Sequence, residues 1–65
     1  MNFDVIEQKR KDKNLTVTSL CKMAGIDRKT YYKAIDSPES IRFSTVTKLV
    51  QALKLNASEK AQVLN

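Results

Sequence analysis

Apolar residues recur at helical spacing in the stretch between residues 17 and 24. Positions i, i+3, i+4 and i+7 of this stretch are occupied by Val17, Leu20, Cys21 and Ala24. Because residues at these intervals share one side of a helix, the pattern predicts a helix of about two turns. Thr16 before it is a preferred N-cap residue. Gly25 after it adopts at little cost the left-handed conformation that ends many helices.

A second short helix, here called the basic helix, is predicted over about residues 28–35, after a break of three residues. Asp27 can cap it by accepting a hydrogen bond from the backbone amide of Lys29 or Thr30. At about 100° per residue, one side of the basic helix carries Thr30, Tyr31 and Ala34. The opposite side carries Arg28, Lys29, Tyr32 and Lys33. We expect the first side to pack against the protein and the second to face a polyanion.

The residues after the basic helix form the strongest loop signal in the chain. Asp36, Ser37 and Pro38 favour turns, and the proline disfavours a helical residue before it, so the helix is expected to end at about residue 35 or 36. Another helix then follows, and its apolar stripe is the clearest in the sequence. The stripe consists of Phe43, Val46, Leu49, Val50 and Leu53.

The N-terminal part of the chain also carries helix signals. Asn2 can cap a helix that runs from Phe3 to about Lys13. Glu7 is expected on the solvated side of this helix. Arg10 is expected on its packed side, where it forms a structural ion pair, with Asp36 as a candidate partner.

The C-terminal part predicts one more short helix. Asn56 and Glu59 form an Asn-x-x-Glu capping box at its start. The residues expected to line it are Ala61, Val63 and Leu64. Together these patterns predict an all-α fold, a compact bundle of five short helices that forms a single domain over residues 1–65.

The charge balance points to the class of partner. A net charge of +5, from 12 Lys and Arg against 7 Asp and Glu, favours a polyanion. A chain of 65 residues buries only about 60% of the surface that its unfolded form exposes, so partner binding or dimerisation can contribute to folding. No apolar run approaches the length of a membrane span and no charged-then-apolar leader is visible, so we expect a cytoplasmic protein without membrane contact.

The composition also argues against catalysis. One cysteine cannot close an intramolecular disulfide, and a chain without histidine can build neither a typical zinc site nor a His-based nucleophile. A single glycine excludes a glycine-rich phosphate loop. We expect no enzymatic activity, metal, cofactor or small-molecule ligand. Cys21 is interpreted as a small buried hydrophobe and Met23 as packing filler at the margin of its helix face.

The outward side of the basic helix suits the major groove of DNA, which admits an α-helix and exposes base edges to it. Base contacts are therefore expected from Arg28, Lys29, Tyr32 and Lys33. Arg28 and Lys29 lie in the first turn and can donate to guanine O6 and N7. A phosphate can bind the free amides at the start of the preceding helix, at Thr16, Val17 and Thr18.

The spacing of these elements resembles that of the lambda-repressor-like, Cro/CI or XRE helix-turn-helix family. The resemblance spans about residues 6–64 and is carried by Leu20, Cys21, Gly25, Ile26, Tyr31 and Ala34, followed by Phe43, Val46, Leu49, Val50, Leu53 and Leu55. Three positions depart from the family's usual residues. Val17 stands where Gln is frequent, Cys21 where Ala is usual, and Ile35 where an acidic residue commonly pairs with a basic residue of the first helix.

The resemblance implies a DNA-binding regulator that reads bases with the basic helix. It also implies a second phosphate site at the loop after that helix and the start of the next one, here Ser40, Arg42 and Ser44. It further implies a homodimer on a palindromic operator, with half-sites about one helical turn apart. Candidates for the dimer surface are Leu55, Val63 and Leu64, although each could equally complete the core of the monomer.

The leading interpretation is a sequence-specific repressor of the Cro type, as in phages and mobile elements, that binds double-stranded DNA over a promoter. A chain of this length is expected to lack a separate ligand-sensing domain. The alternative is a protein-interaction module on the same fold, which uses its basic face to bind an acidic regulator or a polymerase.

Overall fold

The structure is a computed structural model that describes residues 2–64. In this range the chain forms five α-helices, one short 3-10 turn at Pro38–Ser40 and no strand. The helices are α1 (Asp4–Asp12), α2 (Val17–Ala24), α3 (Arg28–Asp36), α4 (Phe43–Leu53) and α5 (Ala57–Leu64). They form a globule of 25 × 24 × 17 Å, which confirms the predicted all-α bundle.

The ends of α2 and α3 follow from local chemistry. The Ser19 amide donates to Thr16 Oγ1 at 3.0 Å, and the Thr30 amide donates to Asp27 Oδ1 at 2.8 Å. Gly25 ends α2 with φ of 72°, in the left-handed region. These caps confirm the predicted bounds of both helices and fix a turn of three residues between them.

The two terminal helices begin differently from each other. At α5 the predicted capping box is present, because the Glu59 amide donates to Asn56 Oδ1 at 2.8 Å and the Asn56 amide donates to Glu59 Oε1 at 3.0 Å. At α1 the predicted cap is wrong. Phe3 occupies the N-cap position, and the Asn2 amide instead donates to the Val63 carbonyl at 2.8 Å. This bond ties the start of α1 to the end of α5, which is a long-range contact.

The core is centred on α4, which packs against α1 and α2, while α1 also packs against α5. Its buried residues are Phe3, Ile6, Leu20, Cys21, Tyr31, Ala34, Val46, Leu49, Val50, Leu53 and Val63. Tyr31 brings α3 into this core, with its ring edge-on to Phe3 at a centroid distance of 5.2 Å. Its full burial confirms the expectation that this side of α3 packs inward.

Several residues predicted to be buried are exposed. Phe43 is 58% exposed, because it is the first residue of α4 and the core begins one turn later, at Val46. Met23 is 56% exposed, since it lies outside the narrow buried side of α2, which consists of Leu20 and Cys21. In α5 only Val63 is buried, whereas Ala61 and Leu64 face outward. None of the helices in the described range is both long and apolar enough to cross a bilayer.

Candidate nucleic-acid interface

The outward side of α3 presents a group of four side chains, here called the α3 outer face: Arg28, Lys29, Tyr32 and Lys33. All four are exposed, and within residues 2–64 none of them makes a side-chain hydrogen bond or an ion pair. On the opposite side of the helix, Tyr31 and Ala34 have 0% and 2% of their surface exposed. The helix therefore presents three cations and a phenol to solvent from a firmly packed base.

The turn before α3 is fixed by the backbone of Cys21. Its carbonyl accepts hydrogen bonds from the amides of Gly25 at 2.9 Å and Ile26 at 3.1 Å. Its thiol donates to the Asp27 carbonyl at 3.8 Å, a contact that alanine at this position would lack. Burial raises the pKa of the Cys21 thiol, so it stays neutral, in agreement with its interpretation as a small buried hydrophobe.

The cap of α3 also carries a charge. Hydrogen bonds from Thr30, through its side chain and its amide, hold the pKa of the Asp27 carboxyl below its usual value. The carboxylate is therefore ionised at neutral pH, when it interacts favourably with the positive end of the helix dipole. Asp27 thus stabilises the first turn of α3, from which Arg28 and Lys29 project.

The start of α2 presents backbone donors near the turn. Val17 and Thr18 are the first two residues of the helix, so their amides have no carbonyl of the same helix within reach. The Thr16 hydroxyl is occupied locally, because it accepts from the Ser19 amide and donates to Ser19 Oγ at 3.0 Å. An anion can therefore bind at Thr16–Thr18 through the backbone amides and the positive end of the α2 dipole.

A groove of about 290 Å³ lies between α3, the 3-10 turn and the start of α4. Its polar lining consists of Thr30, Lys33, Ser40, Arg42 and Thr45. Two cations from different elements, Lys33 and Arg42, thus share one groove, although from the sequence they were expected to make separate DNA contacts.

The two serines of the predicted second phosphate site lie in different settings. Ser40 Oγ donates to the Ser37 carbonyl at 2.8 Å, and Ser44 is exposed outside the groove. Because Arg42 does not cap α4 with its side chain, the amides of Phe43 and Ser44 are open at that end.

A part-buried polar cluster of Glu7, Arg10 and Tyr31 joins α1 to the buried side of α3. Arg10 forms a fork with Glu7, with Nε to Oε1 at 3.0 Å and Nη2 to Oε2 at 3.1 Å. The structural ion pair predicted for Arg10 is present, but its predicted partner Asp36 is wrong, and so is the solvated position predicted for Glu7. The Tyr31 hydroxyl donates to Glu7 Oε1 at 2.5 Å. Sequence reasoning missed this cluster, although the spacing of three residues between Glu7 and Arg10 is a recognisable helix-pair signal.

The model of the Cro/C1-type helix-turn-helix DNA-binding domain family matches residues 5–59, which is most of the chain. The chain belongs to this family. Searches of curated proteins and of solved structures give no significant match. In this Cro/C1-type domain the helix-turn-helix corresponds to α2 and α3, which agrees with the fold expected from the sequence.

The three candidates for a dimer surface of this Cro/C1-type domain occupy different environments. Val63 is fully buried in the core of the single chain. Of the two roles considered for it, a dimer contact or a part of the monomer core, the structure supports the second. Leu55 is half-buried against the same core. Leu64 is 39% exposed at the end of α5 and is the most accessible of the three.

Proposed function

We propose that this Cro/C1-type domain is a sequence-specific transcriptional regulator that reads the major groove of double-stranded DNA with the α3 outer face. The observation that carries the proposal is the arrangement of this face. Arg28, Lys29, Tyr32 and Lys33 project from one side of α3 and make no side-chain hydrogen bond or ion pair with the described part of the chain. The Tyr32 ring lies edge-on to Tyr31, at a centroid distance of 6.4 Å. Tyr31 and Ala34 hold the other side in the core. A helix held in this way can enter the groove without disturbing the fold.

In this proposal the first turn of α3 supplies the deepest contacts. Arg28 donates both arms of its guanidinium to guanine O6 and N7, and Lys29 donates to the same kind of acceptor. Tyr32 packs its ring on a thymine methyl or donates its hydroxyl to a base or a phosphate. Lys33 lies at the flank beside Arg42, so we assign it to the sugar-phosphate backbone or a flanking base.

Phosphate contacts position the domain on the duplex. We assign one phosphate to the backbone amides at Thr16, Val17 and Thr18, which is supported by the open start of α2. We assign a second phosphate to Ser40, Arg42 and Ser44, which is supported by the groove beside α3 and by the uncapped start of α4. These contacts do not distinguish one base from another, so the α3 outer face supplies the sequence preference.

The proposed regulator binds a palindromic operator as a homodimer and represses by covering a promoter. Leu64 and the exposed part of Leu55 are the side chains of the candidate set that remain available for the second copy. In this account residues 1–65 act as one domain in the cytoplasm, without enzymatic activity, cofactor or small-molecule ligand.

The alternative function is a protein-interaction module. The observation that favours it is the exposure of three large apolar side chains, Met23, Ile35 and Phe43, which DNA binding does not require. A module that docks through these apolar side chains, rather than through its basic face, differs from a DNA-binding domain in its response to salt. DNA binding weakens steeply between about 50 and 200 mM salt because each phosphate contact releases counterions, whereas apolar docking does not.

The test compares two arginines by gel shift on a selected duplex and a scrambled one. Arg28→Ala should weaken the selected duplex by about 1–3 kcal/mol and reduce the preference for it, because Arg28 is placed against bases. Arg42→Ala is the matched control, an exposed arginine that is placed against phosphate. It should weaken both duplexes about equally and reduce the salt dependence. The reverse pattern would refute the assignment of base and phosphate roles.

A further inference from the structure

The buried side of α3 carries one polar contact in addition to its apolar packing. The Tyr31 hydroxyl donates to Glu7 Oε1 at 2.5 Å, across 24 positions of sequence. Among residues 2–64 it is the one side-chain hydrogen bond that joins α3 to α1. Burial, together with the negative charge of Glu7, raises the pKa of the Tyr31 phenol. The hydroxyl therefore stays protonated and acts as a donor.

The acceptor of this bond is itself held in place. Glu7 is bound through both carboxylate oxygens by Arg10, and the two side chains are only 20% and 16% exposed. Arg10 Nη1 also donates to the Leu15 carbonyl at 2.7 Å, and the Leu15 amide donates to the Arg10 carbonyl at 3.1 Å. The oxygen that accepts the hydrogen bond from the Tyr31 hydroxyl is thus fixed to α1 and to the link before α2.

A hydrogen bond constrains a helix in a way that apolar packing does not. The contact of Tyr31 with Phe3 at 5.2 Å is compatible with small rotations of α3, since apolar attraction depends weakly on angle. A short hydrogen bond to a fixed oxygen is directional and restricts rotation about the helix axis. Functional side chains must be held within about 10–20° of their productive geometry, so a rotation of this size would misdirect Arg28 and Tyr32.

We propose that the Tyr31 hydroxyl is a positioning group for DNA recognition: through its bond to Glu7 it sets the rotation of α3, and with it the aim of the α3 outer face at base edges. The inference rests on the proposed function. It assigns a specificity-determining role to a buried residue that does not touch DNA. Glu7, held by Arg10, supplies the anchor.

The test measures the ratio of affinities for the selected and scrambled duplexes in Tyr31→Phe, which keeps the ring and loses only the hydroxyl. We expect this ratio to fall by about tenfold, part of the discrimination that one bidentate base contact provides, with little change on the scrambled duplex. The matched control is Ile6→Val, which removes a methyl group from a fully buried, apolar position in α1. It should lower the melting temperature and leave the ratio unchanged.

Variants of Glu7 separate positioning from general loss of structure. Glu7→Gln keeps an oxygen that accepts from the Tyr31 hydroxyl and should retain most of the ratio, whereas Glu7→Leu should lower it as Tyr31→Phe does. Combining Glu7→Leu with Tyr31→Phe should lower it no further, because both remove the same bond. Far-UV circular dichroism verifies folding, and if Tyr31→Phe does not fold, the two Glu7 variants decide the question.

The possible results are distinct. An unchanged ratio in Tyr31→Phe, or an equal fall in Ile6→Val, overturns the positioning role while the DNA-reading proposal stands. A wild-type protein that binds both duplexes equally overturns the DNA-reading proposal, and the positioning role with it.

Discussion

The helices α2 and α4 each end in a residue with positive φ. The two residues differ in the free-energy cost of this left-handed backbone conformation. Gly25 ends α2 at φ of 72°, and Lys54 ends α4 at φ of 54°. A Cβ added at Gly25 would meet no atom within 4 Å. The substitution Gly25→Ala therefore tests backbone conformation alone, without a steric clash.

The expected magnitude follows from two opposing effects. A residue with a Cβ in the left-handed region costs about 1–2 kcal/mol. Alanine also restricts the unfolded chain, which returns about 0.4–1 kcal/mol. We expect Gly25→Ala to lower the free energy of unfolding by about 1 kcal/mol, which lowers the melting temperature of a domain of this size by roughly 4–8 °C. Lys54→Gly reverses both effects and should raise stability by about 0.5–1 kcal/mol.

Thermal unfolding followed by far-UV circular dichroism measures both variants. Gly25→Asn is the matched control, since asparagine tolerates the left-handed region better than alanine and should lose less stability. If Gly25→Ala melts at the wild-type temperature, the left-handed turn between α2 and α3 is not required. The account of how Gly25 shapes the turn between α2 and α3 would then be wrong.

Two further predictions concern Glu7 and α4. The hydrogen bonds from Arg10 hold the pKa of Glu7 below its usual value of 4.5, so its stabilising effect is complete above about pH 4.5 and is lost as the pH falls through the lowered pKa. Urea titrations in this acid range should show a steeper loss of stability in wild type than in Glu7→Gln, and parallel curves would contradict the ion pair. In α4, Phe43→Ser should change stability by less than about 0.5 kcal/mol because Phe43 is exposed, whereas Leu49→Ala should cost about 2–5 kcal/mol. Equal losses in urea titrations would contradict the placement of Phe43.

The sequence was sufficient for the parts of the fold that depend on neighbouring residues. The caps at Thr16, Asp27 and Asn56 and the left-handed residue at Gly25 act within one helical turn, so the residue types alone predicted the starts of α2, α3 and α5 and the end of α2. The side of α3 that faces outward also followed from helical periodicity. These were the features needed to locate the candidate interface.

The features that the sequence did not predict depend on contacts between distant elements. The periodicity of α4 includes Phe43, but whether a helix-end residue is covered depends on how far the neighbouring helices extend. Asn2 was expected to cap α1, yet its amide pairs with the Val63 carbonyl near the other end of the chain. The bond between Tyr31 and Glu7 likewise requires the Tyr31 side chain to reach α1, which no local pattern specifies.

The central claim is that the α3 outer face reads a particular sequence of DNA bases. Selection of bound duplexes from a random pool tests it most directly. We predict enrichment of a palindromic consensus, and Arg28→Ala should reduce its information content at the base pairs that Arg28 contacts. A pool that shows no enrichment for the wild-type protein would contradict the claim.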